Sequence, residues 1–118
     1  MTQAHILKDP LDIVDNDLLD WGDVAHPIGE PVSKQRGLLL FRREDKSSEM
    51  GMWQCTAGSW RCDVEKDEFC YFLSGKAVYT ADDGTVTEVQ AGYAGAFPAG
   101  WAGVCEVIET VRKVYMVQ

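Results

Sequence analysis

The stretch EFCYFLSGKAVYTADDG, residues 68–84, decides the fold. Glu68 opens an apolar run in which Glu68, Cys70 and Phe72 alternate with Phe69, Tyr71 and Leu73. A side-chain period of two is the signature of a strand. Gly75 breaks the run, KAVYTA reads as a second strand, and Asp82-Asp83-Gly84 supplies a hairpin turn before TVTEV.

The same reading extends outward. GLLLFRR (37–43), MGMWQCT (50–56), WRCDV (60–64) and AGYAGAFPAG (91–100) are short strands separated by turn residues. Glu44 to Met50 reads as a polar loop, and VCEVIETVRKVYMV (104–117) as one long strand or a bent pair. Nothing carries a helical apolar stripe over three turns. Many short strands at close spacing predict an all-β sandwich or barrel. Residues 1–36 differ. Asp9, Asp12, Asp15, Asp17, Asp20, Asp23 and Glu30 make them acidic, and Pro10, Pro27 and Pro31 break any long element. They are expected to form an irregular arm laid over a neighbouring surface, with Trp21 packed; residues 37–118 form the domain.

The chain has 118 residues and a formal net charge of -8. That balance argues against nucleic acid or an anionic membrane as partner, since both need clustered Lys and Arg. No apolar run reaches the length of a membrane span, and the N-terminus lacks a signal-peptide core. A cytoplasmic location is expected, with Cys55, Cys62, Cys70 and Cys105 as reduced thiols. Their spacings match no zinc or Cys-x-x-Cys motif.

Two glycine-framed blocks resemble the two motifs of the cupin superfamily. Glu68, six residues and Gly75 match the end of the first; Gly92, five residues, Pro98-Ala99-Gly100 and two residues match most of the second. With GMWQCTAG (51–58), Asp67-Glu68-Phe69, Phe97-Pro98-Ala99-Gly100-Trp101 and Glu109–Tyr115, the chain is similar to the small RmlC-like cupins once called domain of unknown function 861, and to the cupin domain of ureidoglycine aminohydrolase. The resemblance covers residues 37–117 and implies a double-stranded β-helix, the cupin jelly roll, usually associating in pairs; a homodimer with the arm near the interface is therefore expected.

Cupin metal sites generally use three histidines and a glutamate. Here the paired histidine positions fall on Cys62 and Val64 (or on Arg61 and Asp63), and the third falls on Gly103; strand parity favours Cys62 and Val64 facing inward. His5 and His26 both lie in the arm. No metal and no cofactor is expected.

Several candidates remain. Glu68 is either a solvated strand end or an inward carboxylate, for which a barrel interior demands a donor or a proton. Cys105, Val107, Glu109, Val111, Lys113 and Tyr115 alternate to one face if the last strand is regular. Glu109 and Lys113 then either enter the barrel, where Lys113 would neutralise a carboxylate, or reach outward at the rim. Trp101, in the loop bordering the mouth, is placed to stack on a planar ligand. Cys62 lacks a histidine base and is a weak nucleophile candidate. The expected function is binding of a small polar metabolite without a three-histidine metal site, through Cys62, Trp101 and Glu109, with Glu68, Lys113 and Tyr115 as the candidate acid–base set. The alternatives are an enzyme acting on a small ureido compound and a purely structural cupin.

Overall fold

The computed structural model describes residues 2–118. After two single 3-10 turns, Pro10–Asp12 and Asp15–Asp17, the strands in chain order are β1 (Leu19–Asp23), β2 (Pro27–Ile28), β3 (Lys34–Arg42), β4 (Glu49–Cys55), β5 (Gly58–Asp63), β6 (Glu68–Ala81), β7 (Val86–Gln90), β8 (Ala94–Phe97) and β9 (Ala102–Val117). The fold is an all-β cupin-type jelly roll, a single antiparallel sheet curled on itself.

Two long strands carry the architecture. β9 pairs along its length with β6; its other edge is shared by β5 at the N-terminal half and β4 at the C-terminal half. The free edge of β6 is likewise shared by β8 and β7. β3 extends the sheet beyond β4, and β1 pairs with β3.

Three expectations about elements are corrected. The runs on either side of Gly75 form one strand, not two. Gly75 has φ +86, and a Cβ there would overlap the Thr110 carbonyl. Glycine lets the strand bend through a backbone contact that any other residue would block. The supposed loop ends earlier than expected, because Glu49 pairs with Val117 as the first residue of β4. The arm also contributes β1 and β2 to the sheet and lays residues 10–15 over this chain's own surface.

The core lies inside the curl. Cys55, Cys70, Phe72, Ala77, Tyr79, Cys105, Val107 and Val111 are buried there. Three of the four cysteines are thus small core fillers, and all four are free thiols. Outside the curl Arg112, 6% exposed, fastens the arm. Its guanidinium donates to Gln54 Oε1 (2.6 and 2.9 Å) and to the carbonyls of Pro10 and Ile13 (2.7 Å each). A planar fork spreads its donors over acceptors that lie apart, a span that the single nitrogen of a lysine does not match. No helix among the described residues is long and apolar enough to cross a membrane.

Candidate functional site

A cavity of about 350 Å³ opens inside the curl. Alternation along the strands puts its walls there: Trp53 and Glu49 from β4, Trp60 and Cys62 from β5, Glu68 and Tyr79 from β6, Lys113 and Tyr115 from β9. All four tryptophans of the chain, Trp21, Trp53, Trp60 and Trp101, line it. Trp53 and Trp60 meet at 6.2 Å between ring centroids, tilted by 60°. Trp101 stands edge-on to Phe97 (5.7 Å) and Tyr79 (5.9 Å). These are the tilted and edge-on arrangements that aromatic quadrupoles favour.

Lys113 is the buried charge of this wall, and the partly buried Glu68 faces it. Lys113 Nζ lies 2.6 Å from Glu68 Oε2, with the side chains 10% and 19% exposed. At that distance the contact is a close, charge-assisted ion pair. The ammonium also sits 4.6 Å from the Trp53 ring centroid and 5.7 Å from that of Phe72, a cation–π arrangement. Burial, the largest single effect, acts to lower the pKa of Lys113, but the Glu68 charge and hydrogen bond, together with smaller effects of Cys70 and Cys105, hold the ammonium above its ordinary value. Lys113 is therefore a fixed cation at neutral pH, not an amine base.

Two residues further along β9, Tyr115 donates its hydroxyl proton to Glu49 Oε2 at 2.5 Å, and Arg42 donates to Glu49 Oε1 at 2.6 and 2.9 Å. Burial acts to raise the Glu49 carboxyl, yet the Tyr115 and Arg42 hydrogen bonds prevail and hold it below its usual range. Burial first, then the Glu49 contact, pushes the Tyr115 phenol well up. Burial likewise raises the Cys62 thiol, with Lys113 only partly opposing it. Cys62 is no ready nucleophile.

Glu68, Lys113, Tyr115, Cys62 and Trp101 thus surround one cavity. Glu109 does not join them; it is exposed and pairs across the sheet with Lys76. Register breaks between Phe72 and Ala77 shift β9 against β6, and the inward parity resumes only at Val111. Regular alternation through Val107 and Val111 assigned Glu109 to the wrong face. Glu49 and Gln35 escaped sequence reasoning. Glu49 falls in the segment whose composition reads as a loop, although it shares parity with Trp53 and Cys55; Gln35, which accepts from Trp53 Nε1 at 2.9 Å, lies in the arm.

A family model described as EutQ-like cupin domain matches residues 42–115. The chain belongs to the EutQ-like cupin family. Among solved structures this cupin is similar to a protein of unknown function, of the domain-of-unknown-function 861 family, from Pseudomonas syringae. The TM-score is 0.77 at 19% identity, covering 86% of this chain and 44% of that one. It is also similar to a putative ethanolamine utilization protein Q from Salmonella typhimurium (TM-score 0.61, 19% identity, 74% and 69% covered). A Thermotoga maritima protein of the 861 family is 31% identical over 54% of this chain and 73% of its own, with a TM-score of 0.53. This cupin thus spans less than half of the Pseudomonas chain. No curated protein matched.

The residues present do not suit the metal site that cupins generally build. Val64 and Gly103 offer no donor at two imidazole positions, and a Cβ at Gly103 would overlap the Thr80 carbonyl. Glu68 is already engaged by an ammonium. Among the described residues no three His, Cys, Asp or Glu side chains converge as ligands would.

Proposed function

We propose that this cupin binds a small, planar, polar metabolite in its cavity through the Glu68–Lys113 pair, without the three-imidazole metal site. The observation that carries the reading is a buried ammonium paired with a half-buried carboxylate in a wall that is otherwise largely aromatic. A concave, mainly apolar site with a few convergent polar groups is the usual form of a small-molecule site. Lys113 offers N–H donors and Glu68 an acceptor, so an amide, ureide or zwitterion, with both kinds of group, complements them. The tilted indoles suit a flat ligand, and Trp101 supplies one stacking edge.

Enzymatic action on a ureido compound, the activity that the ureidoglycine aminohydrolase resemblance implies, draws less support. Lys113 is held as a cation and the Tyr115 phenol is held protonated, so neither offers a base near neutral pH. The test is a thermal-shift screen of amides, ureides and amino acids on wild type and Glu68→Ala. A ligand of this site raises the melting temperature of wild type only; equal shifts in both would remove Glu68 from the site.

Pairing of two copies is the accompanying proposal. Phe69 and Tyr71 stand exposed on the outer face of β6, against which the first 3-10 turn of the arm also lies. Light scattering at micromolar concentration should give about twice 13.1 kDa; a mass of 13.1 kDa would defeat it.

A further inference from the structure

The cavity wall is completed by a segment that the matched family region does not contain. Trp21 and Gln35 line the cavity, whereas the match begins at residue 42. Trp21 is carried by β1, and β1 is built unlike the other walls. Its ends are pinned, with Leu18 and Val24 only 4% and 5% exposed. All five residues between them, Leu19 to Asp23, are exposed. Upstream, the buried Arg112 holds the arm, so the N-terminal anchor is firm.

The span between the anchors is weakly held. Among the described residues β1 pairs with β3 alone, and the ladder is broken between Asp20 and Gly22. Gly22 has φ +82, and nothing lies within 4 Å of where its Cβ would be. The Lys34–Asp23 ion pair is exposed on both sides, and such pairs contribute little. Few buried contacts and exposed backbone hydrogen bonds mark the segments of a protein that open first. Against this stands Trp21. Its ring lies on Gly37, where any Cβ would overlap it, and it reaches from there to the cavity.

We propose that β1 is a strap that opens and closes the cavity mouth, with Trp21 as its closing ring and as a determinant of which ligands fit. This rests on the reading of the cavity as a binding site. A strap pinned at both ends admits a ligand by lifting one ring off a glycine seat, without disturbing the core. Such gating motions run on the microsecond-to-millisecond scale.

The experiment has two arms. The full chain is labelled with fluorotryptophan, and the four resonances are assigned by replacing each tryptophan with phenylalanine in turn. Relaxation dispersion should show millisecond exchange at Trp21 and flat profiles at Trp53, Trp60 and Trp101. A flat Trp21 profile overturns the strap. In the second arm, stopped-flow binding of anilinonaphthalene sulfonate, an aromatic anion, is compared in wild type and Trp21→Ala. Removing a gate should speed association and dissociation together, by roughly fivefold or more. Faster dissociation with unchanged association would make Trp21 a fixed wall and refute gating. Undiminished affinity in Trp101→Ala would place the probe outside the cavity and count against the binding reading, while the fluorine arm still decides the strap.

Discussion

Replacing Glu68 by glutamine removes the partner of a buried ammonium and leaves the shape nearly unchanged. Lys113 is 8% exposed as a residue, and its closest charge is 2.6 Å away. Breaking a buried pair from one side typically costs about 3–5 kcal/mol, because the remaining charge stays uncompensated. In a chain of this size that is a fall in Tm on the order of 10–20 °C. The reverse substitution, Lys113→Met, should cost less, since Glu68 lines a cavity that water can enter and methionine packs well against Trp53 and Phe72. The double variant Glu68→Gln/Lys113→Met should lie within about 1 kcal/mol of wild type, as buried pairs exchanged for neutral groups often do. Urea titrations followed by tryptophan fluorescence would complete the cycle. The pH dependence gives a second check. Without Glu68, burial becomes the dominant effect on Lys113 and lowers its pKa, so the unfolded chain then binds the extra proton. The deficit of Glu68→Gln should therefore narrow as pH rises from 7 to 10. A cost below about 1 kcal/mol, independent of pH, would show a solvated rim pair and refute the reasoning.

Three further outcomes follow from other contacts. Arg112→Ala and Arg112→Lys should both release residues 2–18 to limited proteolysis, because Gln54 and the Pro10 and Ile13 carbonyls are reached by different guanidinium nitrogens, and a lysine has one; cleavage as slow as in wild type would contradict this. Tyr115→Phe should cost about 1 kcal/mol at pH 7. Glu49 has a lowered carboxyl pKa, so its stabilisation is present above the ordinary value of 4.5 and fades as pH falls, and the Tyr115→Phe deficit should shrink in acid. Cys55 and Cys105 have thiols pushed by burial from 9.0 to about 12, so their contribution is intact below pH 9 and lost as pH rises toward 12. Each should steepen alkaline unfolding by about 1.4 kcal/mol per pH unit, and Cys→Ala at either position should flatten the slope in urea titrations across that window.

The sequence made the strands and their order legible because alternation and turn residues are local signals. The resemblance carried by the glycine and proline frame pointed to Glu68, Cys62 and Trp101 as candidates, with Glu68 left between a solvated strand end and an inward carboxylate. What it hid was longer in range. The displacement of Glu109 comes from register breaks opposite Gly75, set by how two strands pair and not by either alone. The inward turn of Glu49 depends on Val117, far along the chain. Trp21 was expected to pack, yet its seat on Gly37 and its reach into the cavity are tertiary facts. Arg112, adjacent to Lys113, reads as an ordinary strand cation until the carbonyls of the arm close on it.

The central claim is recognition by the Glu68–Lys113 pair in an aromatic cavity with no part for a metal. Calorimetric titration of the strongest amide or ureide from the screen tests it most directly, on protein purified without an affinity tag, with and without chelator. Affinity should be the same in both conditions and fall about tenfold or more in the folded Glu68→Gln/Lys113→Met variant, the equivalent of roughly 1.4 kcal/mol. Binding abolished by the chelator, or retained in full by the double variant, would contradict it.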